Sequence, residues 1–243
     1  MAASFAAVLP TCLAAQVSDN CRDNNIAEPT DAGQIAPVPS ELEPYKSIRV
    51  HIVFVTEYPG EKTQPWSDVE KQYICAAGRR FERVWSSKQF HDRVVGLPWM
   101  VLREGENVTG PQLYDLLTKQ SDITIKASIK GSGKGWAISY PEGWTKISHT
   151  HIDRPNKKDS DPRGAALIGD FSDNLSHEYT HYNAAGTSQD GGVANDPRYV
   201  SYGIGCLTEN LAISNNTCWF DPSRPELWKT KWTFPTSANS SVR

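Results

Sequence analysis

The sequence predicts an α/β (α+β) domain with a small, twisted, mixed sheet, an antiparallel edge strand and covering helices. Three observations carry this. Segment 123–130 alternates apolar and polar residues as a strand does, and 48–55 has one apolar and one semi-apolar face, as a strand covered by helices would. Between them, apolar residues recur at helical spacing. After the second strand, a Gly-rich loop runs into another short apolar segment, which reads as a hairpin.

The first strand places Ile48, Val50, Ile52 and Phe54 on one face, with Tyr58-Pro59-Gly60 ending it. Ser67 or Asp68 caps the next helix, with Glu70 in its first turn; Val69, Tyr73, Ala77, Phe81 and Val84/Trp85 form its apolar stripe. A shorter helix includes Phe90, Val94 and Val95, and a third follows Pro111 with Leu113, Leu116 and Leu117 on one side. The second strand alternates Ile123, Ile125, Ala127 and Ile129 with polar partners. Residues 131–135 are its loop and 136–140 the returning strand, which Pro141 and Gly143 stop. Residues 153–163 are a polar loop. A last helix starts near Asp170 or Ser172 and carries Phe171, Leu175 and Tyr179 at four-residue spacing. Helices between the two long strands favour a parallel pairing; the hairpin adds the antiparallel edge.

The chain has 243 residues, 38% hydrophobic and 22% charged, enough for one substantial core. A net charge of −3 with scattered Lys and Arg gives no sign of a nucleic-acid or anionic-membrane partner. No apolar run approaches the ~20 residues a membrane helix needs. Residues 1–46 read as a signal, propeptide or Pro-rich arm, not core, and 47–243 as the domain. The five cysteines form no CxxC pair; Cys206 and Cys218 are close enough to close a small loop, while sparse unpaired thiols are the other reading. Asn-x-Ser/Thr sequons at Asn107, Asn174, Asn215 and Asn239 agree weakly with secretion.

The last helix holds His177-Glu178-Tyr179-Thr180-His181, an HExxH pattern. Positions i and i+4 share one helix face, so both imidazoles can bind one Zn²⁺ at ~2.0–2.1 Å. Glu178 hangs beside the metal as a base for a water that the metal activates. The alternative is a surface helix with two solvated histidines; the apolar Leu175 and the small residues before the motif argue against it. Three acids compete for the third ligand position: Asp190, favoured because Gly186 can turn the chain back, then Asp196 and Glu209. Tyr199 and Tyr202 are candidates to hydrogen-bond a tetrahedral oxyanion; Tyr202 is preferred because Gly203 permits close backbone approach. His149 and His151 read as cleft lining at most, and Trp136 and Trp144 as core or groove wall.

The HExxH helix after an antiparallel edge strand resembles the zincin metallopeptidases, and Gly186-Thr187-Ser188-Gln189-Asp190 resembles the GTxxD of the aspzincin, or deuterolysin-like, peptidases. It also has metzincin-like features, without that family's third histidine. The resemblance covers about residues 175–205 and extends weakly over 48–140. It implies a zincin-like domain in which His177, His181 and Asp190 hold one catalytic Zn²⁺, Glu178 is the base and Tyr202 the oxyanion partner. In the family the tyrosine lies three residues after the Asp; Tyr199 has that spacing from Asp196, and Tyr202 from neither acid. The expectation is a secreted, monomeric zinc endopeptidase acting on extended peptides. The alternatives are an inactive zincin fold used for binding or inhibition, and a secreted lectin-like or effector protein with an accidental HExxH.

Overall fold

The structure, a computed structural model, describes residues 19–29, 42–55, 65–130, 137–140, 144–148, 165–181, 190, 196–213, 218 and 221–224. Among these, six helices and two small sheets make a mixed α/β fold. The helices are α1 (Asn20–Asp23), α2 (Asp68–Trp85), α3 (Lys88–Val95), α4 (Gly110–Leu117), α5 (Ala165–Tyr179) and α6 (Val200–Ala212). The strands are β1 (Arg49–Phe54), β2 (Met100–Arg103), β3 (Glu106–Val108), β4 (Asp122–Lys130), β5 (Ala137–Tyr140) and β6 (Trp144–Ser148).

The central helix α2 starts on a capping box: Glu70 N–H donates to Ser67 Oγ at 3.3 Å, and Ser67 N–H donates to Glu70 Oε2 at 2.7 Å. Tyr73, Ala77, Phe81, Val84 and Trp85 are buried as the periodicity predicts, but Val69 is 52% exposed. A strict four-residue step gains about 40° on a 3.6-residue turn, so Val69 lies about 160° around the helix from Trp85. Thr109 and Gln112 cap α4, with Pro111 in its first turn.

The main sheet has the order β1-β4-β6-β5. The predicted parallel pairing of the two long strands is present, with Val50 opposite Ile123 and Ile52 opposite Ile125. The predicted hairpin of 123–130 with 136–140 is not. Instead β5 pairs antiparallel with β6, and β6 lies parallel to β4 between the two. Alternation identifies a strand but not its partner, and the overlooked strand 144–148 takes the place beside β4. The antiparallel edge strand itself stands where the sequence suggested, over residues 137–140. The hairpin β2–β3, turning at Gly105 with φ +79°, was also missed.

Part of the segment 1–46 packs with the domain where it is described. Cys21 is buried and bonded to Cys75 of α2, so α1 belongs to the domain core. The second disulfide joins Cys206 and Cys218, the small loop considered above, and overturns the reading of unpaired thiols; Cys12 lies outside the described residues. Sequence separations of 54 and 12 give loop-closure contributions of about 4 and about 3 kcal/mol. Two disulfides are the mark of a chain that folds in an oxidising compartment. Among the described residues, no helix is long and apolar enough to cross a membrane.

The end of α2, with Asn20 of α1, seals one sheet edge. The outward N–H groups of Ile48, Val50 and Phe54 donate to Ser86 Oγ, Glu82 Oε2 and Asn20 Oδ1 at 3.1, 2.8 and 2.7 Å. Side chains thus stand where another strand would pair along β1. The opposite edge is β5, which packs beside α5.

Candidate metal centre

Helix α5 begins at Ala165, earlier than the expected start at Asp170 or Ser172, and runs into a π-type turn at residues 180–181. The extra turn brings Leu167 and Ile168 into the core ahead of Phe171, Leu175 and Tyr179. Tyr179 packs edge-on against Trp85 and Phe81, with ring centroids 5.5 and 6.1 Å away. Burial pushes its hydroxyl up to about 12, so it stays neutral. Ser172 Oγ donates to Ala77 O at 3.3 Å, a polar tie to α2. These contacts fix the rotation of α5 and hence the direction of His177 and His181.

The two histidine rings lie 4.9 Å apart at 77°. Asp190 Oδ1 is 3.2 Å from Nε2 of each. The three ligand atoms all lie within 4.8 Å of one another. A tetrahedral ion with bonds of ~2.0–2.1 Å separates its ligand atoms by about 3.3–3.4 Å. The two Asp190–histidine distances match that spacing, and two nitrogens with a carboxylate oxygen are the donor chemistry zinc takes. The histidine side chains are 13% and 17% exposed and Asp190 is 48% exposed, so the group opens to solvent on one side. Burial pushes the Asp190 carboxyl up, but hydrogen bonds and charge from His177 and His181 outweigh it and hold it well below the usual carboxylate range. A cation at that point takes over the role of those protons.

The Asp190 oxygen that faces the histidines has a further partner. Ser201, fully buried in the first turn of α6, donates from Oγ to Asp190 Oδ1 at 3.0 Å. Sequence reasoning missed this residue, because a serine eleven positions downstream carries no periodic signal. One residue on, the Tyr202 ring stands 4.9 Å from the His177 ring at 68°. Tyr202 thus packs against His177 although its spacing from Asp190 departs from the family pattern.

The competing acids go elsewhere. Asp196 is 1% exposed and accepts from Arg198: Nε at 2.9 Å, Nη2 at 2.6 Å and the backbone N–H at 3.0 Å. This paired carboxylate shapes the turn into α6. Glu209 lies on a helix packed behind the first, but its carboxyl hydrogen-bonds Asp170 and Asp173 of α5. Burial, with the charges of Asp173 and Asp170, pushes Glu209 up to about 10. Burial likewise raises Asp173 and Asp170. Asp173 and Glu209 also approach Cys218, whose sulfur is consumed by its disulfide and offers no thiolate.

Gly205 lets α6 come this close to α5. A Cβ on Gly205 would lie 2.0 Å from Asp173 Oδ1 and 3.2 Å from His177 Cβ. Gly203, predicted to let the backbone approach the site, faces elsewhere: a Cβ there would lie 2.4 Å from Met100 Cε and 2.6 Å from Pro197 O. Glu178 is 5% exposed, and its charge bears on Asp173. Trp85 Nε1 donates to Thr208 Oγ1 at 3.0 Å, fixing α6 against α2. His149, His151, Trp136 and residues 186–189 lie outside the described residues, and Trp144 is described only as part of β6.

No protein-family model, no curated protein and no solved structure matches this chain.

Proposed function

We propose that the chain is a secreted zinc-dependent endopeptidase of the zincin type, nearest in motif to the aspzincins. The observation that carries this is the convergence of His177, His181 and Asp190 at spacings suited to one zinc ion. Zinc held by such a set supplies Lewis acidity and lowers the pKa of a water. Glu178, adjacent to the first ligand, accepts the proton of the attacking water and passes it to the leaving amine. Tyr202 donates a hydrogen bond from its phenol to the developing oxyanion. An extended peptide pairs with β5, since side chains already occupy the outer side of β1. Two disulfides support an extracellular workplace.

The test is zinc stoichiometry on purified protein, followed by peptide cleavage with and without a chelator. One zinc per chain and chelator-sensitive cleavage are expected. Glu178→Gln keeps size and hydrogen bonding but removes the base, so it should retain zinc while activity falls by ~10²–10⁴. Zinc bound with no cleavage of any peptide would leave a binding protein. A Glu178→Gln variant as active as the parent would end the peptidase reading.

A further inference from the structure

Two of the four sequons fall in described residues, and the fold treats them in opposite ways. Asn174 sits inside α5, three residues before His177. Its Nδ2 donates to Asp170 O at 2.6 Å. Ser176, the third residue of that sequon, is fully buried and donates to Asp173 O at 2.9 Å. Asn174 is half-buried, and a glycan there would crowd a helix that packs against both α2 and α6. Asn107 is exposed in β3, opposite Val101 in the hairpin, and Thr109, the third residue of its sequon, is exposed at the cap of α4. Val108 between them is buried and fixes which way the strand faces.

From this contrast we infer that Asn107 is an N-glycosylation site of the folded protein and that Asn174 is not one. A transferable sugar is bulky and hydrated, so the folded product must carry it at the surface, in a chain that meets the secretory pathway. The donor class is an oligosaccharide linked to a polyprenyl diphosphate. Asn107 Nδ2 forms a C–N bond to the anomeric carbon, the C–O bond to the diphosphate breaks, and the diphosphate leaves with the electron pair. The amide proton goes to a base of the transferase. The position also has a physical use. The inner strand β2 is covered, since Val101 N–H donates to Arg198 O at 2.7 Å, and β3 is the outer strand of the pair. A hydrated glycan beside an outer strand hinders edge-to-edge pairing with other chains.

The experiment is secretion of the full chain from a eukaryotic cell, glycosidase treatment and mass mapping of the glycopeptides. The expected result is an occupied Asn107 peptide, a bare Asn174 peptide, and loss of one glycan in Asn107→Gln with none lost in Asn174→Gln. An unoccupied Asn107 peptide overturns the inference, and so does a glycan on Asn174 in the folded, secreted product. Neither result bears on zinc binding or cleavage, so this inference and the peptidase reading stand or fall separately.

Discussion

Ser201 offers the sharpest probe of how the candidate centre is held. Replacing it by alanine removes one donor from Asp190 Oδ1 and leaves both histidines untouched. Asp190 is 48% exposed on its other side, so without Ser201 it can turn toward water. Re-fixing one such side chain on metal binding costs about 0.5–1.5 kcal/mol. A hydrogen bond to a charged acceptor contributes about 1.5–3 kcal/mol. At 1.4 kcal/mol per tenfold, these bracket a weakening of zinc binding of about 2- to 140-fold, which overlaps the ~10–100-fold typical of groups that orient metal ligands. The assay is competition for zinc against a chromophoric chelator near neutral pH, with thermal unfolding of the zinc-free protein in parallel. Ser201→Thr restores the hydroxyl and should recover most of the affinity. The reasoning fails if Ser201→Ala binds zinc within twofold of the parent, or if Ser201→Thr is as weak as Ser201→Ala. No zinc binding by the parent would instead refute the metal centre.

Two further predictions concern the packing of α6 on α5. Gly205→Ala gains about 1 kcal/mol of helix propensity, but its Cβ meets Asp173 Oδ1 at 2.0 Å. Overpacking of this kind costs about 1–3 kcal/mol; a lower urea midpoint is expected, and a stabilised variant would contradict the close approach. Glu209 keeps its proton in the fold up to about 10, against an ordinary value of 4.5. The unfolded chain releases that proton first, so the folded state binds more protons and stability falls as pH rises across this interval. Glu209→Gln stays neutral and should flatten that decline in denaturation curves taken from pH 5 to 9; parallel curves for parent and variant would count against a buried, protonated Glu209.

Much of the candidate site was legible because a single helix carries it. His177 and His181 are four residues apart, and helix geometry alone puts them on one face. Leu175 and Tyr179 showed which face is buried, and the structure agrees. The capping box of Ser67 and Glu70 marked the start of α2 because it depends only on neighbours in sequence. The parallel pairing of β1 and β4 followed from the helices between them.

What only tertiary structure decided is whatever depends on partners distant in sequence. Alternation in residues 123–130 and 137–140 identified two strands, but the place beside β4 went to β6, since a strand's pattern does not name its neighbour. Among Asp190, Asp196 and Glu209, one-dimensional spacing could not choose. The fold separates them by environment: Arg198 neutralises Asp196, two half-buried acids engage Glu209, and Asp190 meets both histidines and Ser201. Cys21 looked like part of a loose arm until its disulfide placed it in the core. Sequence patterns record how a segment meets its own surroundings, apolar or wet. Which two segments share those surroundings is settled by close packing, and Gly205 shows it: its missing side chain makes room for Asp173, thirty-two residues earlier in the chain.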